Sequence, residues 1–433
     1  MMKKYLLGLS ALTIGSVLMA CGNGETSEDS NGETTDVGSE EVVELNFWSG
    51  IPAENGPQEA VDEWNENNPN IQVTYTRYVN DDSGNLSVNT ALQTEEDIDI
   101  LMSHSANDYY QRVESDFLMD MTDTVNPEFI DENLGAGAYK WEVDGEFYAY
   151  PTNTNAIFIM MNEDLLESKG AELPESLTWT ELKDLAVELQ DDSLEYAFAL
   201  DAGNMHGIIQ NAVIDEGFAK EDGTSNLDHE NVREGLEILY TMMHEDGTMP
   251  ILSEQVATNM APEQMFLDGE IGMYQAGAWR LRLSNDLEEY PRDFSIGFIP
   301  YPNFEGQSTP AHHVEDAMSI VSYSEYQDEA MEFIDWYATE GMLALAPGGR
   351  VPAHKDAPQA EAREQIISGA EDTYNVDSLN ATYEFEKTAM MPELPYQVLD
   401  NVNAELESYF LGNQDLDTTI TNMTEFHNSY LER

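Results

Sequence analysis

Reaction chemistry needs the right side chains at the right spacing, and the densest such group in this 433-residue chain is His312-His313-Val314-Glu315-Asp316. It combines imidazole with carboxylate, but the spacing is not that of a His-Glu-x-x-His helix and no second cluster accompanies it, so no metal is expected. With 85 acidic residues, chance carboxylate pairs are guaranteed, and counting them does not exclude the acid–base pair of a glycosidase. No Gly-x-Ser-x-Gly elbow, phosphate loop or dinucleotide-binding glycine motif is present. The segment Asn80-Asp81-Asp82-Ser83-Gly84-Asn85 lacks the alternation and distal glutamate of a calcium loop. The only cysteine is Cys21, which leaves neither a disulfide nor a zinc–thiolate site to support the fold. These motifs support no particular enzyme class and no cofactor, and a carbohydrate-cleaving pair of carboxylates stays open.

Cys21 follows Leu18-Met19-Ala20 at the end of a charge-free run that starts at Tyr5, behind Lys3 and Lys4. The run is shorter than the roughly 20 residues that span a bilayer, so it reads as a signal peptide. Leu-Met-Ala-Cys resembles the lipobox of bacterial lipoproteins, which implies lipidation of Cys21 and a place on the extracellular face of the cell membrane. From Gly22 to about Glu44 there is little to bury, and the segment is expected to be a self-repelling tether.

Charge constrains the partners. The first twenty residues hold Lys3 and Lys4 and no acid, so the remainder carries 15 basic and 85 acidic residues, a formal charge of −70. Nucleic acid and anionic lipid are poor partners for such a surface. Aromatic residues are spread along the chain, unlike those of a disordered acidic tail, and 41% apolar composition suffices for large cores. A folded surface adapted to salt fits best, because at about 1 M salt the screening length is roughly 3 Å.

The elements alternate. Val42 to Trp48 reads as a strand, Pro57 to Asn67 as a helix with Ala60, Val61 and Trp64 on one side, and Ile71 to Val79 as a strand. A helix around Leu86 to Thr94 leads to the apolar run at Asp97 to Met102. A second unit follows: a strand at Ala156 to Met161, a short helix from Glu163, then a helix opened by a capping box of Thr178 and Glu181. Further helices are expected at Asn231 to His244, Ala261 to Leu267 and Gln327 to Ala338. The fold class is α/β with mostly parallel sheets, whose ligands sit beyond the carboxyl ends of the strands. That rule brings forward Trp48 and Ser49 after the first strand, and Ser103, His104 and Asn107 after the third.

Asp144-Gly145-Glu146-Phe147-Tyr148-Ala149-Tyr150-Pro151, the run from Phe158 to Leu166, Pro174 and Thr178 to Leu182 resemble the extracellular solute-binding proteins of sugar ABC importers, the maltose-binding-protein-like group. Met265 to Met273, Gly277-Ala278-Trp279, Ile296 to Pro302, Glu329 to Ile334 and Arg350 to Ala353 continue in the family's order, so the resemblance spans about residues 42 to 410. Two places depart from it. Thr94 to Ile98 stands where members carry a Gly-x-x-Pro-Asp turn, and Glu270 replaces a lysine.

The resemblance implies a two-lobed periplasmic-binding-protein fold of type II that closes by a hinge around its ligand. Its crossings would lie near Thr152 to Asn155, Phe298 to Tyr301 and Ala346 to Arg350. Residues 1–20 would be the signal peptide and 21–41 the lipid-anchored linker. The N-terminal lobe would take 42–153 plus about 302–346, and the C-terminal lobe 154–300 plus about 350–433. Such a protein is a monomer that holds a mono- or oligosaccharide and delivers it to the permease subunits of the importer. A secreted carbohydrate-cleaving enzyme of a halophilic bacterium is the alternative.

A sugar offers an apolar C–H face and a rim of hydroxyls, so its site needs aromatic platforms and fixed donors and acceptors. By the resemblance, Trp279 occupies the Gly-x-Trp platform position, Asn155 the polar place at the first crossing, and His206 a contact from the second lobe. Tyr301, His312, Arg350 and Tyr396 fall near the crossings and a late cleft loop. Arg280, Arg282 or Arg350 could make the cleft locally attractive to anions.

Overall fold

The computed structural model describes residues 42–433 apart from 311–312, 384–387, 390–391 and 433. The chain opens with β1 (Val43–Ser49), β2 (Ile71–Arg77) and β3 (Ile100–Ser103), joined by helices Pro57–Asn67 and Asp82–Gln93. It then runs through β4 (Tyr150–Pro151), β5 (Asn153–Asn155) and β6 (Ile157–Asn162), followed by β7 (Tyr196–Ala199), β8 (Ile271–Gly277) and β9 (Ile296–Pro300). β10 (His313–Val314), β11 (Ala317–Ile320) and β12 (Val351–Pro352) complete the sheets that matter for the site.

Two larger sheets form, one per lobe, in the orders β2-β1-β3-β11-β4 and β9-β6-β8-β7. Strand directions are mostly parallel, with one reversed strand in each: β11 is antiparallel to β3 and β4, and β6 to β8 and β9. Both reversed strands come directly after a strand of a third, three-stranded sheet, β10-β5-β12. That small antiparallel sheet is the hinge, with His313 opposite Asn155 and Val351 opposite Thr154. Strands born inside a lobe run toward the hinge, so a chain entering from the hinge has to run the other way.

Burial explains the helices. In Pro57–Asn67, Ala60, Val61 and Trp64 are buried, and the Trp64 ring meets Phe333 at 5.3 Å and Trp336 at 5.3 Å. Phe47 of β1 packs edge-on against Tyr337 at 5.4 Å, so the helix Gln327–Ala338 covers this sheet with aromatic surface. The first-lobe core draws on Leu45 to Tyr150 and again on Val314 to Ala353. The second-lobe core draws on Ile159 to Phe304, then on Leu394 just before the helix Tyr396–Phe410, and on residues of that helix and of Leu416–Leu431 up to Met423. The chain therefore stays in the second lobe beyond the expected crossing at Phe298 to Tyr301. Tyr301 sits edge-on to Trp179 at 5.4 Å and Phe304 is buried, and this packing delays the crossing until β10.

The helix Trp179–Leu189 carries the expected capping box: Thr178 Oγ1 accepts from the Glu181 amide at 3.2 Å and Glu181 Oε2 accepts from the Thr178 amide at 2.8 Å. Thr178→Ala should therefore cost about 1 kcal/mol in urea unfolding. Salt should act in the opposite sense. The helix Pro57–Asn67 exposes Glu59, Asp62, Glu63 and Glu66 within three turns, and the whole surface has this character. The melting temperature should rise steadily from dilute buffer to about 1 M salt, and a flat or falling curve in differential scanning fluorimetry would contradict the screening argument.

Candidate ligand-binding cleft

The site begins with β8, an apolar strand broken by one polar residue, Gln275. β8 runs into the turn Ala278–Arg280, and the Trp279 indole folds back across Gly277. A Cβ at 277 would overlap that ring, so the glycine is what lets the indole lie there. Gly349, at φ +85°, packs against the backbone of Ala278 and Trp279 in the same manner. The third crossing is thereby seated against the loop that carries the indole.

In front of Trp279 lies a cavity of about 230 Å³. Its wall includes Asp201 and Asn204 beyond the end of β7, His206 and Gln210 around the start of the helix Gly207–Ala212, Gln275 and Trp279 from β8 and its turn, and Tyr301 after β9. Glu315 reaches it from the hinge, and Glu393 from the segment before the helix Tyr396–Phe410. This is where the strand-end rule places a ligand.

The charged groups are organised in pairs. Arg280 bonds Glu263 at 2.6 Å and Asp201 at 2.8 Å, and Tyr274 donates to the same Asp201 oxygen at 3.1 Å. Burial alone would lower the Arg280 pKa, but Tyr274, Glu263 and Asp201 outweigh it and hold the guanidinium charged. Burial pushes the Glu263 carboxyl up against the pull of Arg280. Glu393 pairs with Lys140 at 2.9 Å, which ties a first-lobe turn to the second lobe. Glu315 accepts from Asn155 Nδ2 at 2.6 Å. Its pKa is raised by burial and by neighbouring Asp316, against the opposing effects of Lys140, Asn155 and Arg350. Burial lowers the pKa of His206, which favours the neutral ring, and its Nδ1 has no hydrogen-bond partner.

Behind the cavity, Asp316 gathers the hinge. Its carboxylate accepts from Arg350 Nε at 2.8 Å and from His104 Nδ1 at 2.6 Å, and its carbonyl accepts from the Thr152 amide at 2.9 Å and hydroxyl at 3.0 Å. The Gly50 amide donates to His104 Nε2 at 3.0 Å, which assigns the ring proton to Nδ1. Burial would raise the Asp316 pKa, but Arg350 and His104 overcome it and hold the carboxyl well below the usual carboxylate range. Ser49 Oγ lies 3.5 Å from His104 Nε2, so Ser49, His104 and Asp316 form a row like that of a hydrolase triad. Two features keep it from acting as one. Ser49 is 0% exposed, and the Nε2 lone pair that would take its proton is occupied by the Gly50 amide.

Of the residues expected from the sequence, Trp279, His206 and Tyr301 meet at the cavity wall. Asn155 is one bond away through Glu315, and Arg350 is committed to Asp316. Ser103 receives a bond from Arg112 at 3.0 Å, and half-buried Trp48 packs with the apolar cluster of Tyr78, Val88, Leu92 and Leu101. Asn107 lines a neighbouring groove with Tyr110, Lys140 and Glu393. His312, the Tyr396 side chain and Cys21 lie outside the described residues. Arg280 faces the cavity but is held by two carboxylates, while Arg282 is exposed and not part of the wall, so neither makes an anion site.

The residues expected from the sequence do not include Gln275, Asp201 or Glu393, and Glu315 figures there only as part of the run from His312 to Asp316. Gln275 carried a signal, as a polar residue inside an apolar strand, and Asp201 lies just past a strand end. Glu315 stood in a chemistry-rich run, but its contact with Asn155 comes from pairing between chain segments far apart in sequence. Among the described residues no group of three or more His, Cys, Asp and Glu is placed to hold a metal ion, and no helix is long and apolar enough to cross a membrane.

The sequence model of the family described as bacterial extracellular solute-binding protein matches residues 51–344, and the chain belongs to that family. No curated protein matches it in sequence. Solved structures of the same fold include an open sugar transporter from Rhizobium etli, with TM-score 0.73, 19% identity and coverage of 89% of this chain and 98% of that one. A substrate-binding protein of Listeria monocytogenes in complex with cycloalternan matches with TM-score 0.71 and 17% identity over 90% and 100% of the two chains. A maltose-bound protein of T. maritima matches with TM-score 0.71 and 18% identity over 90% and 100%. At these identities the likeness establishes the two-lobed fold.

Proposed function

We propose that this solute-binding protein captures a mono- or oligosaccharide between its lobes and delivers it to the permease of an ABC importer. The observation that carries the reading is the cavity at the hinge, where an indole forms one wall and amide, carboxylate and hydroxyl groups converge around it. A pyranose needs that combination of flat apolar surface and fixed polar partners. Relatives of the same fold that hold cycloalternan and maltose support it. The N-terminal lobe takes residues 42–153 and the segment leading from β10 to about 346, and the C-terminal lobe 154–310 and about 350–433. Cys21 is the lipid anchor, residues 21–41 are its tether, and the protein works as a monomer on the outer face of the cell membrane.

A panel of mono- and oligosaccharides in thermal shift at high salt tests the reading, since a ligand bound only by the folded state raises the melting temperature. At least one sugar should do so and be recovered unchanged. Conversion of that sugar during the assay would point to an enzyme instead. Mass spectrometry of the membrane-associated protein tests the anchor: an acylated N-terminal Cys21 is expected, and an unmodified one overturns it.

A further inference from the structure

The charges that face the cavity are unequal. Three carboxylates, Asp201, Glu315 and Glu393, and one guanidinium, Arg280, line it. Asp201 is matched by Arg280 and Glu393 by Lys140. Glu315 differs, because its hydrogen-bond partner is the uncharged amide of Asn155. Among the described residues, the cations whose fields reach Glu315 are Lys140 and Arg350, and each is already bonded to another carboxylate. Burial favours neutral His206 across the cavity, so no compensating charge is expected from that side.

A carboxylate withdrawn from bulk water is costly unless a donor set and an opposite charge meet it, which is why the Glu315 carboxyl is raised while no such charge is beside it and why a cationic ligand would hold it ionised. The remaining acceptor in the wall points the same way: Gln275 Oε1 is buried without a partner. A neutral sugar hydroxyl would give Glu315 one hydrogen bond and leave its charge unmatched. A protonated amine brings both the charge and three donors. The Trp279 face adds to the preference, because an indole attracts a cation set over its ring.

We propose that the cavity selects a carbohydrate carrying a protonated primary amine, an amino sugar or a short oligomer of one, with the ammonium on Glu315. The inference rests on the sugar-binding reading given above. It departs from that reading in excluding a purely neutral sugar as the preferred ligand.

Glucosamine, N-acetylglucosamine and glucose, with the β-1,4-linked dimer of each, form the probe set, measured by calorimetry and thermal shift near pH 6. The amines should bind at least about tenfold more tightly than their N-acetyl and hydroxyl counterparts, the factor expected of one charge-assisted bond. Glu315→Gln should bring the amines and their neutral counterparts to within about twofold of each other, whatever it does to the affinity of the neutral sugars themselves. Neutral sugars that bind as tightly as the amines would overturn this inference and leave the sugar-binding reading standing. Absence of any response to either kind of sugar, when the full panel is also silent, overturns both. If Glu315→Gln fails to fold, N-acetylation of the ligand against the unaltered protein decides the matter alone.

Discussion

Asp316→Ala should lower the stability of the folded protein by about 3–5 kcal/mol in urea unfolding, the usual cost of breaking a buried ion pair from one side. The substitution leaves the Arg350 guanidinium with no carboxylate, removes the acceptor of His104 Nδ1, and does both where all three crossings meet. Acid titration supplies a second readout with a defined sign. Asp316 has a folded pKa below its unfolded value of about 3.9, so its contribution is fully present above that value and fades as pH falls through the folded one. The part of the gap between wild type and Asp316→Ala that comes from the ionised Asp316 should therefore be fully present above about pH 4 and should narrow below it. A gap that stays constant down to pH 2 would show that Arg350 and His104 do not act through the ionised carboxylate.

Trp279→Ala should weaken ligand binding by about 30-fold or more, since truncating a central tryptophan that packs on a ligand costs about 2 kcal/mol or above. The unliganded protein should melt within a few degrees of wild type, because the indole is half-buried at a cavity wall and not part of the lobe cores. Calorimetry with whichever ligand answers the panel separates the two effects. Trp279→Phe, which keeps a flat apolar face, should recover part of the loss. A binding constant within twofold of wild type for the alanine variant would remove the indole from the site.

The sequence made the periodic elements legible and left the short ones hidden. The helix Pro57–Asn67 announced itself through the spacing of Ala60, Val61 and Trp64, and the helix Trp179–Leu189 through its capping box. The hinge strands could not show themselves, because two or three residues are too few to display a period. The C-terminal helices were missed although Asp415 caps the second through the Thr418 amide at 2.8 Å, a signal within reach of inspection. For the candidate site, motif order brought forward Trp279, His206 and Tyr301, which line one cavity. Glu315 and Asp316 stood in the most chemistry-rich segment of the chain, yet their tasks became visible only when β10 was paired with β5 and Arg350 brought alongside. Residue type and spacing gave that segment no task, and register places one carboxylate at the cavity and the other at the hinge.

The reversed strands also bear on how the chain can be made and exported. β3 finds its neighbour β11 more than two hundred residues later, with Ile100 opposite Ile320, and the second-lobe core waits for the helices that end at Leu431. Neither lobe can close its hydrophobic core on the first half of the chain. Pairings this distant in sequence form slowly, since the entropy of closing the loop is spent before any contact rewards it. A nascent chain organised in this way remains threadable until almost all of it has emerged, and a protein that must pass a membrane before folding gains its delay from topology alone.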